Sequence, residues 1–271
     1  MYTLEAPAGV VKPVNRTRRR RLHQRRPVVW AARIVVLVLF LVGWDFVRRE
    51  VVAEFFVGNP WRVYDILVDW VGSGFIFGHI RYTLSATVLG FLIGTAVAVP
   101  LAILLGTNRH LYRVFDPFLN AGYSVPKIAI APLLIIWFGL GLTPKVVLAA
   151  AIAFFLVFHT SVAGVREVEK DLTDQVYLFG GTRWTVIRRV ILPTMSLQIL
   201  NGLRLSFPYA LHGAIIGELI ASHNGLGYLL ASARGTYNMS AMIAALVVIM
   251  IVALAIVALI DLLQRWVPST R

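Results

Sequence analysis

The sequence predicts an all-α, polytopic membrane protein, and three observations carry that prediction. Apolar residues make up 58% of the 271, only 14% are charged, and the mean hydropathy is +0.76, far from the roughly half-apolar, quarter-charged make-up of soluble domains. Uncharged apolar stretches recur along the chain, approaching the ~20 residues a helix needs to cross the hydrocarbon core. Lysines and arginines gather in alternate connections between those stretches, as they do where cytoplasmic loops retain positive charge.

The first span runs from Val28 to Val47, with Arg33 and Asp45 near its two ends, where long side chains snorkel or water reaches. Before it lies a basic cytoplasmic tail, residues 1–27, containing "NRTRRRRLHQRR". A tail and apolar run of this kind resemble a signal peptide, but no small-x-small cleavage site follows and the run is long enough to span, so it is expected to stay. The tail reads as a topology signal in contact with anionic lipid, not as a nucleic-acid arm.

After the first span, "VGNPWRVYDILVDWVGSG" offers Asn59 as an N-cap, Pro60 at the first helical position, and Trp61, Tyr64, Leu67, Val68 and Val71 on one face. That is an amphipathic helix expected on the outer membrane surface. The second span lies within Tyr82 to Asn108. The third, "IAIAPLLIIWFGLG", is short and interrupted by Pro132, Gly139 and Gly141. The fourth is Val146 to Val165, and the last lies within Gly235 to Ile260. Between those two, Leu197 to Ser222 is apolar but carries Arg204, Pro208, His212 and Glu218, which reads as a broken fifth span. Six transmembrane helices result.

With the N-terminus inside, the cytoplasmic segments hold Lys12, Arg16, Arg109, Arg113, Lys127, Arg166, Lys170, Arg183, Arg188, Arg189, Arg265, Arg271 and the rest of the tail's arginines. The external ones hold only Arg48, Arg49, Arg62, Arg81, Lys145 and Arg234. Both termini are therefore expected in the cytoplasm, and the net charge of +13 is largely this asymmetry.

Catalytic and cofactor chemistry is not indicated. The chain has no cysteine, no Gly-x-x-x-x-Gly-Lys-Ser/Thr, no His-Glu-x-x-His and no Gly-x-Ser-x-Gly, and its six histidines are scattered. Glu218 and Arg204 are the ionisable groups nearest to the membrane interior, where each costs about 2.5–3.5 kcal/mol at a helix centre. They either line a solute path or tie helices together. His159 and His212 read as hydrogen-bonded core residues, with His212 also placed for a path. "VPKIAIAPLLIIWFGLGLTP" clusters Pro126, Pro132, Gly139, Gly141 and Pro144 around Trp137, and interrupted helices of this kind line paths in transporters. Pro132, Trp137, Arg204, His212 and Glu218 are thus the candidates for a translocation path or gate.

The loop "REVEKDLTDQVYLFGGTRWTVIRRVILP", residues 166–193, stands apart from the spans. Asp171 suits an N-cap with Asp174 three residues on, and Leu172, Val176 and Phe179 share a face of a short helix that Gly180 and Gly181 end. Thr182 caps a second helix, whose Trp184, Ile187 and Ile191 share a face and which leads to Pro193. Two apolar faces suit docking to a partner that carries the energy source; the alternative is a solvated loop whose charges suit the helix dipoles.

At these residues a family resemblance enters. "DQVYLFGGTRWTVIRRVILP" resembles the cytoplasmic coupling loop of binding-protein-dependent ABC importer permeases, whose signature is Glu-Ala-Ala, three residues, Gly, nine residues, Ile-x-Leu-Pro. Asp174, Gln175 and Val176 fall on the triplet, Gly180 on the glycine, and Val190, Leu192 and Pro193 on the end. The spacing is intact, while the triplet departs from the pattern. "GNPWRVYDIL", "DPFLNAGYSVPKIAIAPLLIIWFGLG", "NGLRLSF" and "GELIASHNGLGYLL" are similar in order and spacing to permeases of the alkanesulfonate, taurine and nitrate type, so the resemblance runs from Val28 to the C-terminus.

The resemblance implies an ABC importer type I-like permease core over residues 28–271, multi-pass in a prokaryotic cytoplasmic membrane. It implies a second permease chain, expected to be identical, two ATPase subunits that hold ATP and Mg, and an extracytoplasmic solute-binding protein. This chain itself would be non-catalytic and bind no cofactor. Asp174, Gln175, Val176, Gly180, Gly181, Arg183, Arg188, Arg189, Leu192 and Pro193 become the ATPase-coupling residues. The solute would be a sulfonate, taurine, nitrate or similar small anion, or a thiamine-precursor heterocycle. The rival is a carrier driven by an ion gradient, with a relay built on Asp45, Glu218 and Asp261.

Overall fold

The structure, a computed structural model, describes residues 26–265, with side chains from 29 to 262. The basic tail and the charges of Arg265 and Arg271 lie outside those residues. The chain divides into two compact units after Ala53.

In the first unit, α1 (Arg26–Glu50) exposes apolar side chains on every face, as a helix surrounded by lipid does. Asp45, read as a charge meeting water at the end of the span, is held by Arg48 at 2.8 Å and Arg49 at 2.7 Å, one helical turn on. A charged group so paired leaves the helix end compact and locally neutralised.

The second unit begins with the short α2 (Glu54–Val57) and α3 (Pro60–Gly72). Asn59 caps α3 as expected, its side-chain oxygen accepting from Trp61 N–H at 3.0 Å with Pro60 in the first turn. The apolar face divides in two. Trp61, Tyr64, Val68 and Val71 are exposed, whereas Leu67 turns inward beside Val63 against a core of Ile76, Leu211, Leu226 and Val248. Leu67 falls four residues after Val63, and that spacing puts it on the buried side.

Next come α4 (Phe75–Gly106), α5 (Arg109–Ser124), α6 (Lys127–Phe138) and α7 (Thr143–Arg166). The 32 residues of α4 rise about 48 Å, so it begins outside the expected span and overshoots the ~30 Å hydrocarbon core. Small residues let α4 and α7 touch: a Cβ on Gly90 would meet the Val146 carbonyl oxygen at 2.8 Å, and one on Gly94 the Phe154 amide at 3.0 Å. Ala86, Ala149 and Ala153 are fully buried at the same seam. Close approach of backbones over Gly and Ala replaces the hydrophobic drive that is missing in lipid. The third expected span falls on α6, which ends at Phe138, rises only about 18 Å and meets α5 at 91°.

The rest of the chain is α8 (Lys170–Leu178), α9 (Arg183–Val186), a π turn over Ile187–Ile191, α10 (Leu192–Ile220), α11 (Leu226–Gly235) and α12 (Met239–Arg265). The expected break in the fifth span is absent: α10 runs unbroken through Pro208 for 29 residues. Proline is tolerated inside a membrane helix where neighbours take up the freed carbonyl. The last span starts at Met239 and not near Gly235, because α11 ends there and Tyr237 turns the chain at φ +54°. Among the described residues, α1, α4, α7 and α12 are long and apolar enough to cross a membrane, and the bent α5–α6 pair makes up to five.

Candidate functional site

The loop between α7 and α10 folds from its own sequence. Helix α8 starts two residues earlier than expected: Glu169 stands at its N-cap without a side-chain bond, and Asp171 sits inside the first turn, where a carboxylate favours the helix dipole instead of capping it. The exit is a Schellman turn. Gly181 N–H bonds the Val176 carbonyl at 2.8 Å and Gly180 N–H the Tyr177 carbonyl at 3.0 Å, with Gly180 at φ +77°. The two glycines serve different needs. Gly180 has open space around its Cα and needs the dihedral, whereas a Cβ on Gly181 would meet the Val176 carbonyl oxygen at 2.7 Å.

Thr182 then caps α9 in a reciprocal box, Thr185 N–H to Thr182 Oγ1 at 3.4 Å and Thr182 N–H to Thr185 Oγ1 at 3.2 Å. Pro193 does not close this helix. The π turn, in which Leu192 N–H reaches back to the Ile187 carbonyl, widens the helix just where the ring of Pro193 would strike the carbonyl four residues back. The chain from Arg183 to Ile220 is therefore one helical path.

Of the ten coupling candidates, the structure gathers Gln175, Val176, Gly180, Gly181, Arg189 and Pro193 around one concavity of about 530 Å³. Arg183 lines a separate recess with Lys170 and Tyr177, and Arg188 and Asp174 are exposed outside both. Val176 and Leu192 pack partly against Val165, Val186, Ile191 and Met195. At the tip, Leu178 and Phe179 are 85% and 90% exposed and Trp184 65%. Large apolar groups presented to this extent on a short polar loop mark a contact surface.

A second site lies at the other end of α10. Glu218 is buried, and its Oε2 accepts from Thr83 Oγ1 and from Gly227 N–H, both at 2.9 Å. Thr83 Oγ1 also accepts from Leu226 N–H at 2.8 Å, and His79 Nδ1 from Gly225 N–H at 3.0 Å. The free amides that open α11 are thus capped by side chains of α4 and α10. Gly225, at φ +106°, leaves no room for a side chain beside the Glu218 carboxylate. Lys145 is fully buried nearby, donating from Nζ to the carbonyls of Leu140 (2.7 Å), Gly141 (2.9 Å) and Ala221 (2.6 Å). His79, Thr83 and Lys145 were not singled out from sequence, where Lys145 counted only as an external charge; His79 and Thr83, four residues apart on one face of α4, were the available signal.

Residues 98–270 match the family described as the binding-protein-dependent transport system inner membrane component. The chain belongs to that family. It is 33% identical over 232 residues to the riboflavin transport system permease protein RibX of Chloroflexus aurantiacus, covering 85% of this chain and 87% of that one. It is 28% identical over 259 residues to the putative aliphatic sulfonates transport permease protein SsuC of Bacillus subtilis, covering 95% and 94%. The taurine transport system permease protein TauC of Escherichia coli is 29% identical over 233 residues, covering 84% and 85%. The fold is that of an inward-facing MetNI methionine ABC transporter chain, with a TM-score of 0.61 at 21% identity, over 71% of this chain and 96% of that chain.

The protein is therefore a multi-pass membrane permease of an ABC importer, the non-catalytic subunit of a system that also comprises an ATPase and a solute-binding protein. In this permease the five path candidates take different positions. Pro132 and Trp137 are exposed on α6, and His212 is exposed on α10 against Tyr209. His212 is thus not a core histidine; the positions four and eight residues before it, Pro208 and Arg204, are not buried either. His159 does pack inward, its ring edge-on to Tyr123 and Phe158, with Nε2 lacking a hydrogen-bond partner among the described residues. Arg204 pairs with Asp261 of α12 at 2.6 Å, and Glu218 is enclosed in the cap of α11. Asp45, Glu218 and Asp261, the acids of the ion-gradient alternative, each have separate partners.

Proposed function

We propose that this permease carries a small organic anion through a prokaryotic cytoplasmic membrane, working as one of two identical chains over two ATPase subunits. Six spans with both termini cytoplasmic place residues 166–193 on the ATPase side, where each loop enters a cleft of one ATPase subunit. ATP and Mg act there, and closure of the ATPase pair moves the loop and then α10. The observation that carries this reading is the Leu178–Phe179 tip, nearly fully exposed beyond a rigid glycine corner. The named solutes of the sulfonate and taurine permeases support the anion.

The tip gives the direct test. Phe179→Ser removes an exposed aromatic group that no buried cluster of the permease uses, so the fold is unaffected; lost docking at an anchor of this kind costs about 2 kcal/mol or more. ATPase recovered with the tagged permease should fall at least ~30-fold in affinity by that arithmetic, and unchanged recovery would remove the docking assignment. Topology is checked separately. A tag at either terminus should react only from the cytoplasm and a tag beside the exposed Ser73 only from outside; opposite sidedness of the two termini would exclude six spans.

A further inference from the structure

The ends of two membrane-length helices, α4 at Gly106 and α7 at Arg166, meet the start of α5 and of α8 around a cavity of about 870 Å³. Arg109 and Arg113, one turn apart on α5, face it together with Arg166 and Lys170; Asp116 is the one carboxylate that lines it. None of the four cations forms an ion pair among the described residues. Arg166 instead lies 3.6 Å over the ring of Tyr112, a stacking that holds the guanidinium plane in place. The amides that open α5 are already taken by Asn108, whose side chain accepts from His110 and Leu111. The attraction for an anion therefore comes from the side chains.

Beside the cavity, α5 presents Val114, Phe115 and Phe118 at 61%, 46% and 72% exposure, while Arg109, Arg113 and Asp116 turn to the cavity. Basic groups in a pocket at headgroup depth with an uncovered apolar strip alongside match a molecule that has a phosphate at one end and a hydrocarbon chain at the other. Arginine pairs suit phosphate oxygens in particular.

We propose that this cavity binds the headgroup of an anionic phospholipid, its acyl chain lying along the apolar strip of α5. The lipid then braces the corner of α4 and α5 against Lys170, the first residue of α8, so that the base of the loop rests on the membrane as well as on protein. The proposal rests on this end of α4 and α7 lying at the membrane boundary and is independent of the solute carried.

The test uses the full chain in nanodiscs containing equal amounts of phosphatidylglycerol and phosphatidylcholine with the same acyl chains, extracted gently and weighed by native mass spectrometry. Wild-type permease should retain phosphatidylglycerol in preference. Each basic residue near an anionic leaflet strengthens attachment about fivefold, so R109Q/R113Q should lower retention on the order of twentyfold, R109K/R113K much less, and Arg81→Gln, at the opposite end of α4, not at all. Equal retention of both lipids by the wild type, or retention unaffected in R109Q/R113Q, overturns the proposal. Displacement of the lipid by inorganic phosphate would reassign the site to a free anion and also overturn it. Should R109Q/R113Q fail to fold, the wild-type preference and the phosphate competition still decide.

Discussion

The Gly180→Val permease is expected to insert and elute as the wild type does, yet to purify without its ATPase or to support hydrolysis that no longer drives uptake. The cause is backbone geometry and not crowding. Gly180 sits at φ +77° with no atom within 4 Å of a built Cβ, and an L side chain in that conformation costs roughly 1–2 kcal/mol, more when β-branched. Escaping the strain means giving up the bonds from Gly180 and Gly181 to the carbonyls of Tyr177 and Val176. Helix α8 then swings with its Leu178–Phe179 tip, while the buried seam of α4, α7 and α10 has no contact with the change. Gly180→Ala should be milder and Gly180→Asn milder still, since Asn tolerates the left-handed region. ATPase co-purification and solute-stimulated hydrolysis are the measurements, and wild-type values in both for Gly180→Val would end the coupling role assigned to the corner.

Glu218→Ala should lower both the melting temperature and the uptake of the reconstituted importer. Removing the carboxylate leaves Gly227 N–H and Thr83 O–H without acceptors in a buried region, and each orphaned donor costs about 1–3 kcal/mol. The start of α11 comes loose from α4, although the loop at the far end of α10 is untouched, so ATPase binding persists. Glu218→Gln keeps an oxygen acceptor for Gly227 and should recover most of the stability. Normal melting and normal uptake for Glu218→Ala would show that the cap on α11 is dispensable.

Legibility from sequence followed the range of the interaction. The glycine corner and the Thr182 cap were readable because a Schellman turn and a capping box are written within four to six residues. The apolar runs that form the long helices were readable too, but not the glycine and alanine seams between them. The cap of α11 was not, since His79 and Gly225 are 146 residues apart and no periodicity links them. Lys145 misled for a similar reason: a lysine at the end of an apolar run reads as a loop charge, yet its stem is buried and its ammonium closes carbonyls at the ends of α6 and α10. The break assigned to the fifth span rested on Arg204, Pro208, His212 and Glu218 interrupting an apolar run, yet α10 passes through all four as one helix. Asp171 stands two positions after the N-cap Glu169, within the usual uncertainty of a helix start.

The π turn at Ile187–Ile191 has a mechanical meaning. From Arg183 to Glu218 the chain contains no loop, so a push or twist applied at the first residue arrives at the last along a single rod, roughly 50 Å long at 1.5 Å per residue. A rod delivers torque without delay but also without tolerance, and a subunit gripped at both ends by other helices needs some compliance. The π turn is the one joint in that rod. Its extra residue can travel along the helix by exchanging one hydrogen-bond register for the next, which would convert rotation at the Arg183 end into a change of phase at the Glu218 end. Pro193, by denying the ordinary register immediately after it, fixes where that joint stands at rest.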